Sequence, residues 1–312
     1  AVTNPLKLML VTPAEISRYT KLMVYKMKKL LWLCLFFSYS SFAHQPVMDM
    51  APRWEKGYGF QVRHEHYGSD TLLNGESAIE NPLNLKRHVN TTWLEGVYTF
   101  HRSIRTTFKL PYINQHRTKN INGVGVRQSN DGLGDLVLGM PLKYYRNKKA
   151  LTDNFSFTPS IRLPTGNSSG DFPISDGSVD WGLSFSYSSE SPTYYTLFDL
   201  FYWANTDGAS GMHEGDEIAL DINLGYHPFH SNRTNSGVFT MWDITARYND
   251  DPSNETLTTT SGGQRLQMGP VLVLYKDNLM FRAEYKHLFY EETSSISNSR
   301  GSELSIGIGV TF

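Results

Sequence analysis

The chain has 312 residues, of which 39% are hydrophobic, 13% aromatic and only 19% charged, a composition that argues for one object although the length would admit two domains. Its one cysteine, Cys34, lies in the most apolar stretch of the N-terminal region, which excludes a disulfide framework or a cysteine-ligated metal in everything after it. Six of the 29 basic and one of the 30 acidic residues precede His44, so the remainder sets 23 basic against 29 acidic groups, a net charge of −6, and that sign excludes nucleic acid as a partner.

In chain order, residues 1–26 precede Met27 and are expected to be an upstream extension with no structural role. Residues 27–43 run from Met27-Lys28-Lys29 through the apolar LLWLCLFFSYSSFA, with small residues at Ser41 and Ala43. Basic start, apolar middle and small-residue end form a secretory signal peptide, cut after Ala43. The apolar run is far shorter than the ~20 residues a spanning helix needs. Trp32 and Leu33 stand before Cys34 where a lipid-modified cysteine would have small residues.

Residues 44–56 are expected to form a periplasmic N-terminal segment. A free amine at His44, its imidazole and the thioethers of Met48 and Met50 are a nitrogen and sulfur donor set that suits copper. His64 and His66, two apart on the next segment, would add donors; the alternative is a tether without metal.

From residue 57 to 312 no segment keeps a helical apolar period, while alternation at period two returns in blocks. Leu304, Ile306, Ile308, Val310 and Phe312 alternate with Glu303, Ser305, Gly307, Gly309 and Thr311. The same split recurs at 134–146, 178–190, 216–227 and 264–275. The predicted strands are 57–67, 86–99, 103–112, 132–146, 153–165, 178–190, 193–206, 215–227, 237–249, 263–275, 279–291 and 301–312. They are joined alternately by long polar connections (68–85, 113–131, 166–177, 207–214, 250–262, 292–300) and mostly short ones. This predicts an all-β fold: a transmembrane antiparallel β-barrel of about 12 strands after a cleaved signal peptide, with short periplasmic turns and long outer loops. A soluble sandwich also alternates, but its strands are usually half as long, and it does not gather aromatics at strand ends as Tyr144-Tyr145, Tyr194-Tyr195, Tyr202-Trp203 and Phe289-Tyr290 do here. Closure follows because an open sheet edge is not tolerated in hydrocarbon.

The face opposite the apolar one assigns Arg63, Glu65, Arg105, Lys109, Asp135, Lys143, Arg162, Asp180, Asp221, Asp243, Arg247, Arg282, Glu284 and Lys286 to the lumen. Both signs are interleaved, as in an ion-paired wall rather than a one-sign selectivity ring. One strand, 193–206, is apolar on both faces, so Tyr195, Leu197, Phe201 and Trp203 form an apolar lumen patch. Such a patch suits small apolar solutes or packing against an inward-folded loop or the N-terminal segment; both readings stand.

Enzymatic chemistry finds weak footing. His213 with Ser210 and Asn205, and His230 beside Ser231, are the nearest Ser-His sets for an outer-membrane lipid hydrolase. Neither lies on the lipid face near the outer rim, where that substrate is. Residues 129–135 are oxygen-rich but lack the bidentate glutamate of a calcium loop. No catalytic residue and no cofactor is assigned.

Several stretches together resemble the outer-membrane β-barrel family named for the MetA-pathway of phenol degradation, often labelled as transporters. They are LEGVYTFHRSIRTTFKLPY at 94–112, Gly132-Leu133-Gly134-Asp135 leading to Lys143-Tyr144-Tyr145-Arg146, Leu163-Pro164-Thr165-Gly166, and Gly215-Asp216. The similarity runs from about residue 57 to Phe312, and departs at 100–103, where Phe-His-Arg-Ser replaces the family's Thr-Asp-Arg. The resemblance implies a barrel for passage of small hydrophobic or aromatic solutes, located in the Gram-negative outer membrane, and supplies no catalytic residues. Expected partners are outer-membrane lipids, the small solute and the outer-membrane assembly machinery, which would read the aromatic Phe312. The alternatives are a structural or copper-responsive outer-membrane protein and the lipid hydrolase.

Overall fold

The computed structural model describes residues 54–312 apart from 122–123, 169–172, 209–210, 212, 232 and 254–260. The expected extension at 1–26, the signal peptide at 27–43 and residues 44–53, with the metal candidates His44, Met48 and Met50, lie outside the described residues. The strands belong to one of the chain's two units, Ser41–Phe312.

Among the described residues sixteen strands form one antiparallel sheet: β1 (Tyr58–Ser69), β2 (Leu72–Gly75), β3 (Ser77–Ile79), β4 (Lys86–His101), β5 (Ile104–Ile121), β6 (Val124–Leu133), β7 (Leu136–Gly139), β8 (Leu142–Lys148), β9 (Leu151–Leu163), β10 (Asp180–Glu190), β11 (Tyr194–Ala204), β12 (Glu217–Ser231), β13 (Ser236–Asn249), β14 (Gly263–Lys276), β15 (Leu279–Asn298) and β16 (Glu303–Thr311). The sheet closes because β1 pairs with β4 along one edge and with β16 along the other. With β7 and β8 counted as one stave between β5 and β9, and β2, β3 and β6 set aside, the closed ring has 12 strands. Its closing seam is extended by Phe312, which exchanges backbone bonds with Tyr58 at 2.7 and 3.1 Å and stacks its ring on Tyr58 with centroids 5.1 Å apart.

The period-two alternation becomes an inside and an outside. On β16, Leu304, Ile306 and Ile308 are about half exposed, while Ser305 between them is 2% exposed. Val62, Leu94, Phe185, Leu220, Trp242 and Leu272 continue an exposed apolar belt around the ring. So much contiguous exposed apolar surface is unusual in water and is what a ring of strands presents to hydrocarbon. Inside, glycines make room for neighbouring rings: a Cβ on Gly225 would stand 2.5 Å from the Phe239 ring, and one on Gly182 2.9 Å from Trp203.

The structure differs from the predicted strands in four places. The stretch expected as one strand over 132–146 is cut into the ends of β6, β7 and β8, at Gly134-Asp135 and Met140-Pro141. Pro111, Pro141 and Pro159 on neighbouring staves have no N–H to give, and the gaps are bridged by Gly134 N to Pro111 O at 2.8 Å and Met140 N to Pro159 O at 3.0 Å. Two connections expected as loops are largely strand. Residues 113–131 continue β5 and β6 as a hairpin, and β15 runs on to Asn298, where it pairs with β2. Polar side chains on both faces hide such extensions from a hydropathy pattern, since even the buried positions there, Gln115, Thr293 and Ser297, are polar. The expected turn 228–236 shortens to the residues between Ser231 and Ser236.

Candidate functional site

The interior divides into three levels between the short turns and the long connections. Nearest the turns, on the β11 to β15 side, Tyr195, Phe239, Met241, Val271, Val273 and Met280 form a buried apolar cluster, with Leu197 and Tyr275 packed against it. His227 closes its edge through a 2.9 Å contact between Nε2 and the Tyr275 hydroxyl.

Above this cluster the wall is ionic. Arg63 bridges Glu65 at 2.8 Å and Glu95 at 3.2 Å. Lys286 reaches Asp243 at 2.9 Å and Glu284 at 3.5 Å, and Arg282 meets the same Glu284 at 2.9 Å. Thr245 joins this group, donating to Asp243 at 3.0 Å. Lys109 stands in register with Glu95, and Asp221 with Asp199, which accepts from the Ser184 hydroxyl at 2.5 Å. Arg105 donates to the Tyr145 hydroxyl at 3.0 Å, and Lys143 shares that stretch of β8. A mixed wall of this kind neutralises its own charges locally, because each ion taken out of water must find an opposite one close by.

Nearest the long connections lies a polar cavity of about 300 Å³. Among the side chains that line it are Arg162, Arg247, Arg265 and Arg300, with Glu214, Glu217 and Glu291. Arg162 pairs with Asp180 at 3.3 Å and Glu214 at 3.5 Å, and lies 4.9 Å over the Trp203 ring. Arg247 pairs with Glu217 at 2.9 Å and lies 5.4 Å over Phe201. Arg300 pairs with Glu303 at 3.0 Å and Glu65 at 3.6 Å, and lies 3.7 Å over Tyr67. Outside the spanning strands, Glu214 sits between β11 and β12 with 52% of its side chain still open. Enclosure first, and the nearby carboxylates of Asp176, Asp180 and Asp135 after it, push its carboxyl up to about 7 against the pull of Arg162.

Most of the charged residues assigned to the lumen fall on the alternately buried face of their strands, in separate groups, while Lys109 is exposed and Asp135 lies between β6 and β7. Asp135 stands apart, because its carboxylate accepts from Gly166 N at 2.9 Å and Ser175 Oγ at 2.7 Å and so ties down the connection after β9. The apolar patch is split: Tyr195 and Leu197 join the turn-side cluster, whereas Phe201 and Trp203 lie beneath arginines. Glu95, Asp199, Glu217 and Arg265 also stand on the alternately buried face, as strand alternation alone would place them. Arg300 falls in a stretch expected to be a loop, with no periodic signal to recruit it.

The hydrolase candidates are placed as follows among the described residues. Ser210 lies outside the described residues. His213 Nδ1 faces Asp207 at 3.3 Å, while Asn205 accepts from Arg162 at 3.1 Å and donates to Gly215 O at 2.6 Å, so the amide does not orient that imidazole. The His230 ring lies beside that of His227, tilted by 31°, with centroids 5.1 Å apart. His64 and His66 lie on the outer face, at 3.0 Å from Thr92 Oγ1 and 2.8 Å from Asn90 Oδ1.

A closed antiparallel ring, apolar outside and ion-paired within, defines an outer-membrane-type β-barrel. The family model described as "Putative MetA-pathway of phenol degradation" matches residues 66–301, and the chain belongs to that family. Among solved structures it is similar to an outer membrane channel from Pseudomonas putida F1, at 13% identity over 88% of this chain and 100% of that one, with a TM-score of 0.61. It is also similar to the translocator domain of the autotransporter NalP from Neisseria meningitidis, at 10% identity over 96% and 97% of the two chains, with a TM-score of 0.42. No curated protein sequence matches the chain.

Proposed function

We propose that the chain is an outer-membrane channel that lets small solutes, aromatic or otherwise apolar ones among them, pass without being chemically changed. The observation that carries this is the contrast between the two faces of one closed ring: an apolar belt outside, and inside a wall of paired charges opening into a polar cavity of about 300 Å³. A lumen of paired charges is wettable yet carries no strong single-sign barrier. Family membership supports aromatic solutes, and the fold shared with a protein described as an outer membrane channel supports passage. The charged wall from Arg63 to Lys286 is the lining in this reading, and the faces of Phe201 and Trp203 beneath the arginines are its apolar portion. Export by a signal peptide ending at Ala43 delivers the chain, and Phe312 on the outward face is the group offered to the assembly machinery. Outer-membrane lipids then solvate the belt.

The test is reconstitution. Purified barrel in planar bilayers is expected to give discrete conductance events, and in vesicles to admit phenol-sized solutes. A barrel that shows the heat-dependent gel mobility of a folded ring, but gives neither conductance nor uptake, would overturn the channel.

A further inference from the structure

Arg247 on β13 and Arg265 on β14 stand directly opposite each other in register, both on the inward face of the ring. Two guanidinium groups set side by side in a partly dry wall call for two counter-charges. Arg247 has one, in Glu217 at 2.9 Å. Arg265 has none within ion-pairing distance among the described residues. Its Nη1 donates to Asn249 Oδ1 at 3.4 Å, the long limit of a hydrogen bond, and its Nε is sealed from solvent without a partner.

The acid opposite it on β15 does not fill the gap. Glu291 is the register partner of Arg265 on β15, yet its carboxylate accepts from Ser299 Oγ at 2.5 Å and from the Arg300 backbone N–H at 3.1 Å. The acids around Arg162 and Arg300 are spent on those arginines. Arg265 nonetheless lines the cavity of about 300 Å³, in company with the amides of Asn249, Gln264 and Asn298. A guanidinium cannot shed its proton to escape an unfavourable site, and its planar fork matches a carboxylate in two parallel bonds.

We propose that Arg265 is the anchor of an anion subsite in this cavity, and that the subsite takes a small monocarboxylate. Single charge follows from the rim: Glu217, Glu291 and Asp250 also line the cavity, so a second negative charge on the ligand would meet carboxylates rather than a second free cation. The subsite names a substrate class for the channel and rests on that reading for its purpose, while its binding can be measured without a pore.

The probe pair is benzoate and benzyl alcohol, of similar shape and differing in charge, titrated calorimetrically into the folded barrel in neutral detergent. Wild type is expected to bind benzoate at least about tenfold more tightly than benzyl alcohol. Arg265→Gln is expected to lose that preference and leave benzyl alcohol binding unchanged, and Arg265→Lys to keep part of it. Equal binding of the two probes by wild type, no benzoate binding, or an undiminished preference in a folded Arg265→Gln barrel would each overturn the subsite. Should Arg265→Gln fail to fold, the wild-type preference between the two probes decides alone. A barrel that conducts but does not recognise benzoate overturns the subsite and leaves the channel. One that binds benzoate but never conducts overturns the channel and leaves the subsite.

Discussion

The turn-side and loop-side ends of the interior are built from opposite chemistry. At the turns, Val271 and Val273 are 1% and 0% exposed among Tyr195, Phe239, Met241 and Met280, a packed apolar cluster like the core of a soluble domain. At the long connections, arginines lie over Tyr67, Phe201 and Trp203 and face a polar cavity. Along β11 the change takes a few residues, from Tyr195 and Leu197 through Asp199 to Phe201 and Trp203. The difference teaches that aromatic residues serve two ends. In one region they exclude water, and in the other they present flat faces that hold guanidinium groups in place while leaving their N–H donors free to reach acids.

That contrast can be broken most severely at Val273. Val273→Asp puts a carboxylate into the packed apolar cluster, opposite Arg282, whose guanidinium is already paired with Glu284, so the ring should lose about 3–5 kcal/mol of stability. Urea unfolding, followed by the heat-dependent shift in gel mobility, measures the loss. A folded variant of unchanged stability would mean that the turn-side interior is wet.

A second change separates the two ends by pH. Partial loss of solvation at the cavity rim, and neighbouring acids after it, raise the Glu214 carboxyl to about 7, so its neutral form is favoured in the fold. Its contribution is best at low pH and declines as pH climbs through about 7. Above that pH a new negative charge stands 3.5 Å from Arg162. The chloride-to-potassium permeability ratio should therefore fall as pH rises through about 7, and the step should flatten in Glu214→Gln. A step that survives in Glu214→Gln assigns the titration elsewhere.

The smallest effect is expected on the outside of the turn-side end. Phe312→Ala removes a ring that is half exposed and stacked on Tyr58 at 5.1 Å, but keeps the backbone bonds of the seam. A loss of about 0.5–1.5 kcal/mol is expected in the same urea assay. A loss comparable to that of Val273→Asp would place closure of the seam, rather than the packed interior, in control of stability.

The ring itself was legible because alternation is a local property. Leu304 to Phe312 fall on one face in any antiparallel arrangement, and the same rhythm repeated through the chain leaves few alternatives to closure. The β5 and β6 hairpin was not legible, since residues such as Asn114, Gln115 and His116 carry no apolar face to mark it. The cavity was half legible: alternation assigned Arg162 and Arg247 inward, but nothing near Arg265 in the chain says that Glu291 turns away to Ser299 and Arg300.

By itself the sequence determined the strands, their inner and outer faces and the sign of each inward charge, because a strand's side chains alternate whatever it pairs with. Only the tertiary structure decided which charges meet. Arg63 finds Glu95 and Lys286 finds Asp243 through staves brought side by side by register, and the same register leaves Arg265 facing Arg247 with one acid between them. Ion pairing acts over a few ångströms, so these partnerships follow from closure of the ring, which no stretch of the chain contains alone.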